Sequence, residues 1–202
     1  MNKIENNKDD YVTDVTYTMN YKSELNPLNL QFNFLCAGLR PPVIKTACEL
    51  GFGQGLTINF HSAGSHIKWY GNDFNDKHYL FADELAKASK SECFLTPESF
   101  YDFCNRDDLP EFDFIGLHGI WSWVNDENRD IIVQFLKNKL AANGVAYISY
   151  NAFPGLLDSL PIKKLLSDYY NELDDKIDIN QKVIQSIQFL DDFLKLNPQI
   201  IN

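Results

Sequence analysis

Glu49 stands just ahead of Gly51, Gly53 and Gly55, and Asp73 follows at the end of a second apolar run. A carboxylate before a glycine-rich turn, with a second carboxylate one strand–helix–strand unit later, is how a chain can hold a nucleoside-bearing ligand at the edge of a parallel sheet. Glycines let the backbone turn sharply and let a ligand approach the main chain without meeting a Cβ. A helix opening on that turn aims its first N–H groups at the ligand.

Two details narrow the ligand. The dinucleotide fingerprint needs a glycine at its sixth position, and that position is Leu56. Glu49 would repel a pyrophosphate but favours a ligand carrying positive charge. S-adenosylmethionine has a sulfonium and an ammonium group and no phosphate, and Glu49 can meet the ammonium directly or through water. An NAD-dependent enzyme is the weaker option for the same reasons. Asp73 can accept from both ribose hydroxyls; its other reading is a loop aspartate serving turn chemistry. Phe74 can cover the adenine face or simply pack. Glu98 and Ser99 can reach the adenine amino group and ring nitrogens, or can be first-turn helix residues favoured by the helix dipole.

Two further segments carry candidate chemistry. In the stretch from Leu117 to Trp123, His118 can bind cofactor main-chain groups or accept a proton from an amine nucleophile. Trp121 and Trp123 can wall a channel for an aliphatic cation, although at least one is expected in the core. Asn151, beyond Tyr150, can orient a substrate amine or amide, with Pro154 and Gly155 supplying the turn.

The elements that position these residues alternate. Asn26 and Pro27 open a helix with apolar Leu28, Leu35 and Leu39, stopped by Pro41 and Pro42. Strands are expected over 43–50, 67–72, 92–95, 112–117 and 145–150, and helices over 56–62, 77–87 and 125–140. Thr96 is expected to cap a further helix with Pro97 at its first position. Asn143 and Gly144 are expected to end the helix that begins near Asn125. The near-continuous apolar run 112–117 suits a parallel strand covered on both faces. Such alternation predicts an α/β fold, a doubly wound Rossmann-like sheet, mostly parallel, with its site along one edge. Beyond Gly155, Ile179, Val183, Ile184, Ile187, Leu190 and Leu194 recur at helical spacing, and no further strand is evident. The expected organisation is a leader over 1–24, a cofactor-binding domain over 25–155 and a helical extension over 156–202.

The 202 residues suffice for one domain with a real core, and 45% of them are hydrophobic. A net charge of −10 without a basic stripe argues against a nucleic-acid partner. It suits solubility, or a basic protein substrate. No apolar run reaches the roughly 18 residues a membrane span needs. Cys36, Cys48, Cys93 and Cys104 show no C-x-x-C pairing, so neither a zinc site nor a disulfide framework is expected, and the location expected is the cytoplasm.

The segments LNPLNLQF, TACELGFGQG, YGNDFN, FDFIGLHGIWSWV and GVAYISYNAFPG together resemble class I S-adenosylmethionine-dependent methyltransferases. The chain is most similar in these segments to the bacterial subfamily that carries a downstream methyltransferase regulatory domain, some members of which methylate protein lysines. The resemblance covers about 25–155. It implies that Glu49, Gly51, Phe52, Gly53 and Gly55 hold the methionine part of the cofactor. Asp73 would hold the ribose, and Phe74, Glu98 and Ser99 the adenine. His118 would lie beside the sulfonium, with His118 and Asn151 as catalytic candidates and a methyl acceptor, protein amines included, as partner. The family usually completes its sheet with a hairpin of strands 6 and 7, and its members are longer. The chain is therefore expected to be the N-terminal part of a larger protein or a shortened member. The rival reading is a non-catalytic cofactor-binding or scaffold module derived from a truncated enzyme.

Overall fold

A computed structural model describes residue 17 and residues 19–196. The expected leader therefore lies largely outside the described residues, as does the end of the expected extension. The chain divides into two compact units that meet in sequence at Tyr150 and Asn151.

The first unit is built on five strands: β1 (Thr46–Leu50), β2 (Lys68–Asn72), β3 (Cys93–Thr96), β4 (Phe112–Leu117) and β5 (Leu140–Ile148). All pairings are parallel and the order is β3-β2-β1-β4-β5. The chain starts in the middle, winds outward to β3, then crosses to β4 and β5. The two adjoining central strands are therefore followed by loops that diverge, which opens a crevice at their carboxyl ends. This is the expected doubly wound fold, and among the described residues no strand follows β5.

The helices of this unit are α1 (Pro27–Cys36), α2 (Leu56–Ala63), α3 (Asp76–Ser89), α4 (Phe100–Cys104) and α5 (Asp126–Lys139). Alternating residues of β1 feed two cores. Cys48 and Leu50 pack with Phe103, Phe112, Ile132 and Phe135 on the face covered by α4 and α5. Ala47 packs with Leu25, Ile58, Trp69, Ala82 and Phe114 on the face covered by α2 and α3. Burying each large side chain contributes about 1.5–3 kcal/mol. Asn26, Asn75, Ser99 and Asn125 cap α1, α3, α4 and α5 through their side chains, each satisfying an otherwise unpaired N–H.

Three expected boundaries move. Thr96 ends β3, and Ser99 caps the following helix by accepting from the Asp102 N–H at 3.1 Å. The first helix stops at Cys36, ahead of the prolines, and Gly38 takes a left-handed φ of 70°. Asn143 and Gly144 do not end α5: β5 begins directly at Leu140, and the two residues form an irregularity inside it, opposite Phe112 and Phe114. Asn143 takes a φ of 67° and a Cβ on Gly144 would come within 3.0 Å of the Phe112 carbonyl, so residues suited to a helix end serve a bulge equally well.

The second unit contains α6 (Leu160–Glu172) and α7 (Ile179–Leu196). Tyr169 and Phe189 stack across the pair with ring centroids 4.1 Å apart. Ile179, Val183, Ile184 and Ile187 repeat along α7 as expected, but all four are exposed.

Candidate cofactor site

At the end of β1, Glu49 pairs in register with Gly71 of β2 and Gly116 of β4. Phe52, Ile58 and Leu25 fill the space that side chains at those two glycines would take, and Glu49 is buried. Its Oε2 has no hydrogen-bond partner. Burial first, then the neighbouring charge of Asp73, pushes its carboxyl up to about 8. A buried carboxylate left unpaired is costly unless a cation reaches it.

The chain then turns through Gly51, Gly53 and Gly55 with φ of 65°, 59° and 69°. The three glycines do different work. A Cβ on Gly51 would meet Ile120 Cδ1 at 2.6 Å, and one on Gly55 would meet Ala82 Cβ at 2.4 Å. Those two permit close packing. A Cβ on Gly53 would meet nothing within 4 Å, so this glycine faces open space. Asn59 ties the turn down: its Nδ2 donates to the Gly55 carbonyl at 2.9 Å and to the Ala82 carbonyl of α3 at 3.0 Å.

Asp73, just past β2, is buried and fully engaged from its own side of the site. Its Oδ2 accepts from the Gly53 N–H at 2.8 Å, and its Oδ1 accepts from the Asn75 N–H at 3.0 Å and lies 3.2 Å from His78 Nδ1.

These groups open onto a cavity of about 460 Å³. Glu49, the glycine turn, Phe52, Asp73, Phe74 and His118 all line it. His118 is half-buried, its ring parallel to that of Tyr147 at 6.4 Å. Burial and then the positive charge of Lys22 lower its pKa, which favours the neutral imidazole. Beside it, Gly119 N–H donates to Ser149 Oγ at 2.7 Å. Trp123 lines the cavity and is 76% exposed, whereas Trp121 packs against the core under the Arg129 guanidinium.

Glu98 and Ser99 do not line the cavity. The Glu98 carboxylate accepts from Arg106 at 3.2 Å, and Ser99 Oγ donates to Asp102 Oδ2 at 2.7 Å. Asn151 is exposed and opens the second unit. Among the described residues, no group of three His, Cys, Asp or Glu could hold a metal ion, and no helix is long and apolar enough to cross a membrane.

Several lining residues carry no motif. Tyr17, Asn20 and Lys22 precede the first helix, yet all face the cavity. The Tyr17 carbonyl accepts from Gln54 Nε2 and the Lys22 N–H donates to Thr57 Oγ1 at 2.9 Å. Tyr21 joins this strap by bonding His61 Nε2 through its hydroxyl at 3.1 Å. Asn72 also lines the cavity, with a buried Oδ1 that has no partner.

This parallel sheet, with an acidic residue near the end of its first strand, a glycine turn after it and a second acidic residue after the next strand, is the Rossmann-like fold of class I S-adenosylmethionine-dependent methyltransferases. The chain has this fold. It aligns with PKMT2 from Rickettsia typhi, solved in complex with AdoHcy, at a TM-score of 0.71 and 25% identity, covering 88% of this chain and 35% of that one. It is 38% identical over 164 residues to an uncharacterized protein of Synechocystis, covering 79% of this chain and 32% of the relative. An uncharacterized protein of Rickettsia prowazekii is 29% identical over 157 residues, covering 74% of this chain and 62% of the relative. The chain thus spans between about a third and three-fifths of the length of these relatives. No family model matches it.

Proposed function

We propose that this cavity binds S-adenosylmethionine and that the chain transfers its methyl group to an amine acceptor on a protein. The observation that carries the reading is the buried Glu49 carboxyl, whose Oε2 has no hydrogen-bond partner, beside a glycine turn bonded to Asp73 through the Gly53 N–H. Glu49 takes the ammonium, the main chain of Gly51, Phe52 and Gly53 takes the methionine part, Asp73 takes the ribose and Phe74 lies against the adenine. The cofactor supplies an electrophilic methyl on a sulfonium. Among the chain's own groups, His118 in its neutral form accepts the proton that the acceptor's ammonium must lose to become a nucleophilic amine. The exposed indole of Trp123 offers a face to an aliphatic cation at the cavity mouth. Alignment of acceptor and methyl does most of the remaining work. Glu98, Ser99 and Asn151 are secondary candidates, the first two for the adenine and the third for the acceptor.

Incubating the chain with methyl-labelled S-adenosylmethionine and cell lysate, followed by mass spectrometry, tests the reading. A labelled protein amine is the expected product. The second reading, a cofactor-binding module without turnover, draws on the end of the sheet at β5 among the described residues. Cofactor binding with no labelled product would favour it.

A further inference from the structure

We propose that His78 is a positioning residue for the cofactor ribose, acting through Asp73; this rests on the cofactor reading above. His78 lies in the first turns of α3, is 2% exposed, and places Nδ1 3.2 Å from Asp73 Oδ1. An ionised carboxylate only accepts, so Nδ1 carries the proton and donates. His78 Nε2 is buried with no partner, which assigns the ring one polar duty among its neighbours. That duty completes a frame around one carboxyl group. Gly53 N–H fixes Oδ2, while Asn75 N–H and His78 Nδ1 fix Oδ1. With rotation about the carboxyl blocked from both ends, the one lone pair left on Asp73, on Oδ2, points in a set direction. The same imidazole seats the edge of the Tyr17 ring at a centroid distance of 5.5 Å, so one side chain supports two cavity-lining residues.

The amide Nδ2 of an asparagine can replace His Nδ1, whereas the longer glutamine places its amide where Nε2 lies. Calorimetry with S-adenosylhomocysteine on wild type, His78→Leu, His78→Asn and His78→Gln uses that difference. His78→Leu and His78→Gln should weaken binding about tenfold, and His78→Asn should stay within about threefold of wild type. The 2′,3′-dideoxy analogue of the ligand, which cannot use Asp73, should bind all four proteins alike. Wild-type affinity in His78→Leu, or equal weakening of all three variants toward both ligands, would overturn the positioning role and leave the cofactor site standing. If His78→Leu does not fold, the contrast between Asn and Gln still decides. No binding of either ligand by wild type would overturn the cofactor reading and this inference with it.

Discussion

The Gly53 N–H donates to Asp73 Oδ2 at 2.8 Å, joining the turn after β1 to the end of β2. One hydrogen bond thus fixes the distance between the methionine-binding and ribose-binding halves of the proposed site. It also explains why the glycine turn keeps its shape although three of its residues have positive φ.

Gly53→Arg tests that geometry. The position faces open space, so a long side chain enters the cavity rather than the core. The left-handed φ adds roughly 1–2 kcal/mol of strain. Calorimetry should find S-adenosylhomocysteine binding in wild type and none in the variant. Equal binding in both would remove the turn from the site.

Glu49 makes binding and stability depend on pH. The folded chain keeps its proton up to about 8, while an unfolded chain loses it near the ordinary value of 4.5. Between these values the folded state holds more protons, so the stability from this group is full below 4.5 and is lost as pH rises through 8. A cationic ligand instead draws the proton off, so cofactor binding near pH 7 should release up to one proton and tighten as pH rises toward 8. Calorimetry in buffers of different ionisation enthalpy measures this release directly. Glu49→Gln should abolish it and flatten the stability profile between pH 5 and 8.

Asn59→Leu should loosen the turn from behind. It removes the two buried hydrogen bonds to the Gly55 and Ala82 carbonyls, and with them the Oδ1 acceptor of Ser91 Oγ and Cys93 Sγ. Thermal denaturation should show a loss of about 1–3 kcal/mol. Cofactor affinity should fall with it, because Gly55 leads directly into α2.

His118→Gln should separate binding from chemistry. With the acceptor identified in lysate, kcat should drop about 10²- to 10⁴-fold, the usual contribution of general base catalysis. Affinity for S-adenosylhomocysteine should change far less. Because burial and Lys22 lower the pKa of His118, wild-type rates should hold below pH 6.5 before falling on the acid side. Unchanged kcat in the variant would take His118 out of proton transfer.

The β–α alternation, the parallel character of the sheet, and the placing of Glu49, the glycines, Asp73, Phe74 and His118 around one crevice were legible because short-range patterns encode them. Apolar runs, caps and glycine spacing are local properties, and an edge acidic residue follows from its strand. The boundaries that moved did so where one residue type serves two purposes. Asn143 and Gly144 suit a helix end and a bulge alike, and Thr96 competes with Ser99 for a cap. Pairing with a distant strand decides each case.

By itself, then, the order of residues determined which groups meet at the carboxyl edge of a doubly wound sheet. Only the tertiary structure decided what state they are in. Glu49 is raised because the fold buries it between two strands and sets the charge of Asp73 beside it. Asp73 is oriented because Gly53, Asn75 and His78 converge on it, and Tyr17 and Lys22 reach the cavity through a strap with no motif of its own. Desolvation and convergence are sums over residues far apart in the chain, and no local pattern carries them.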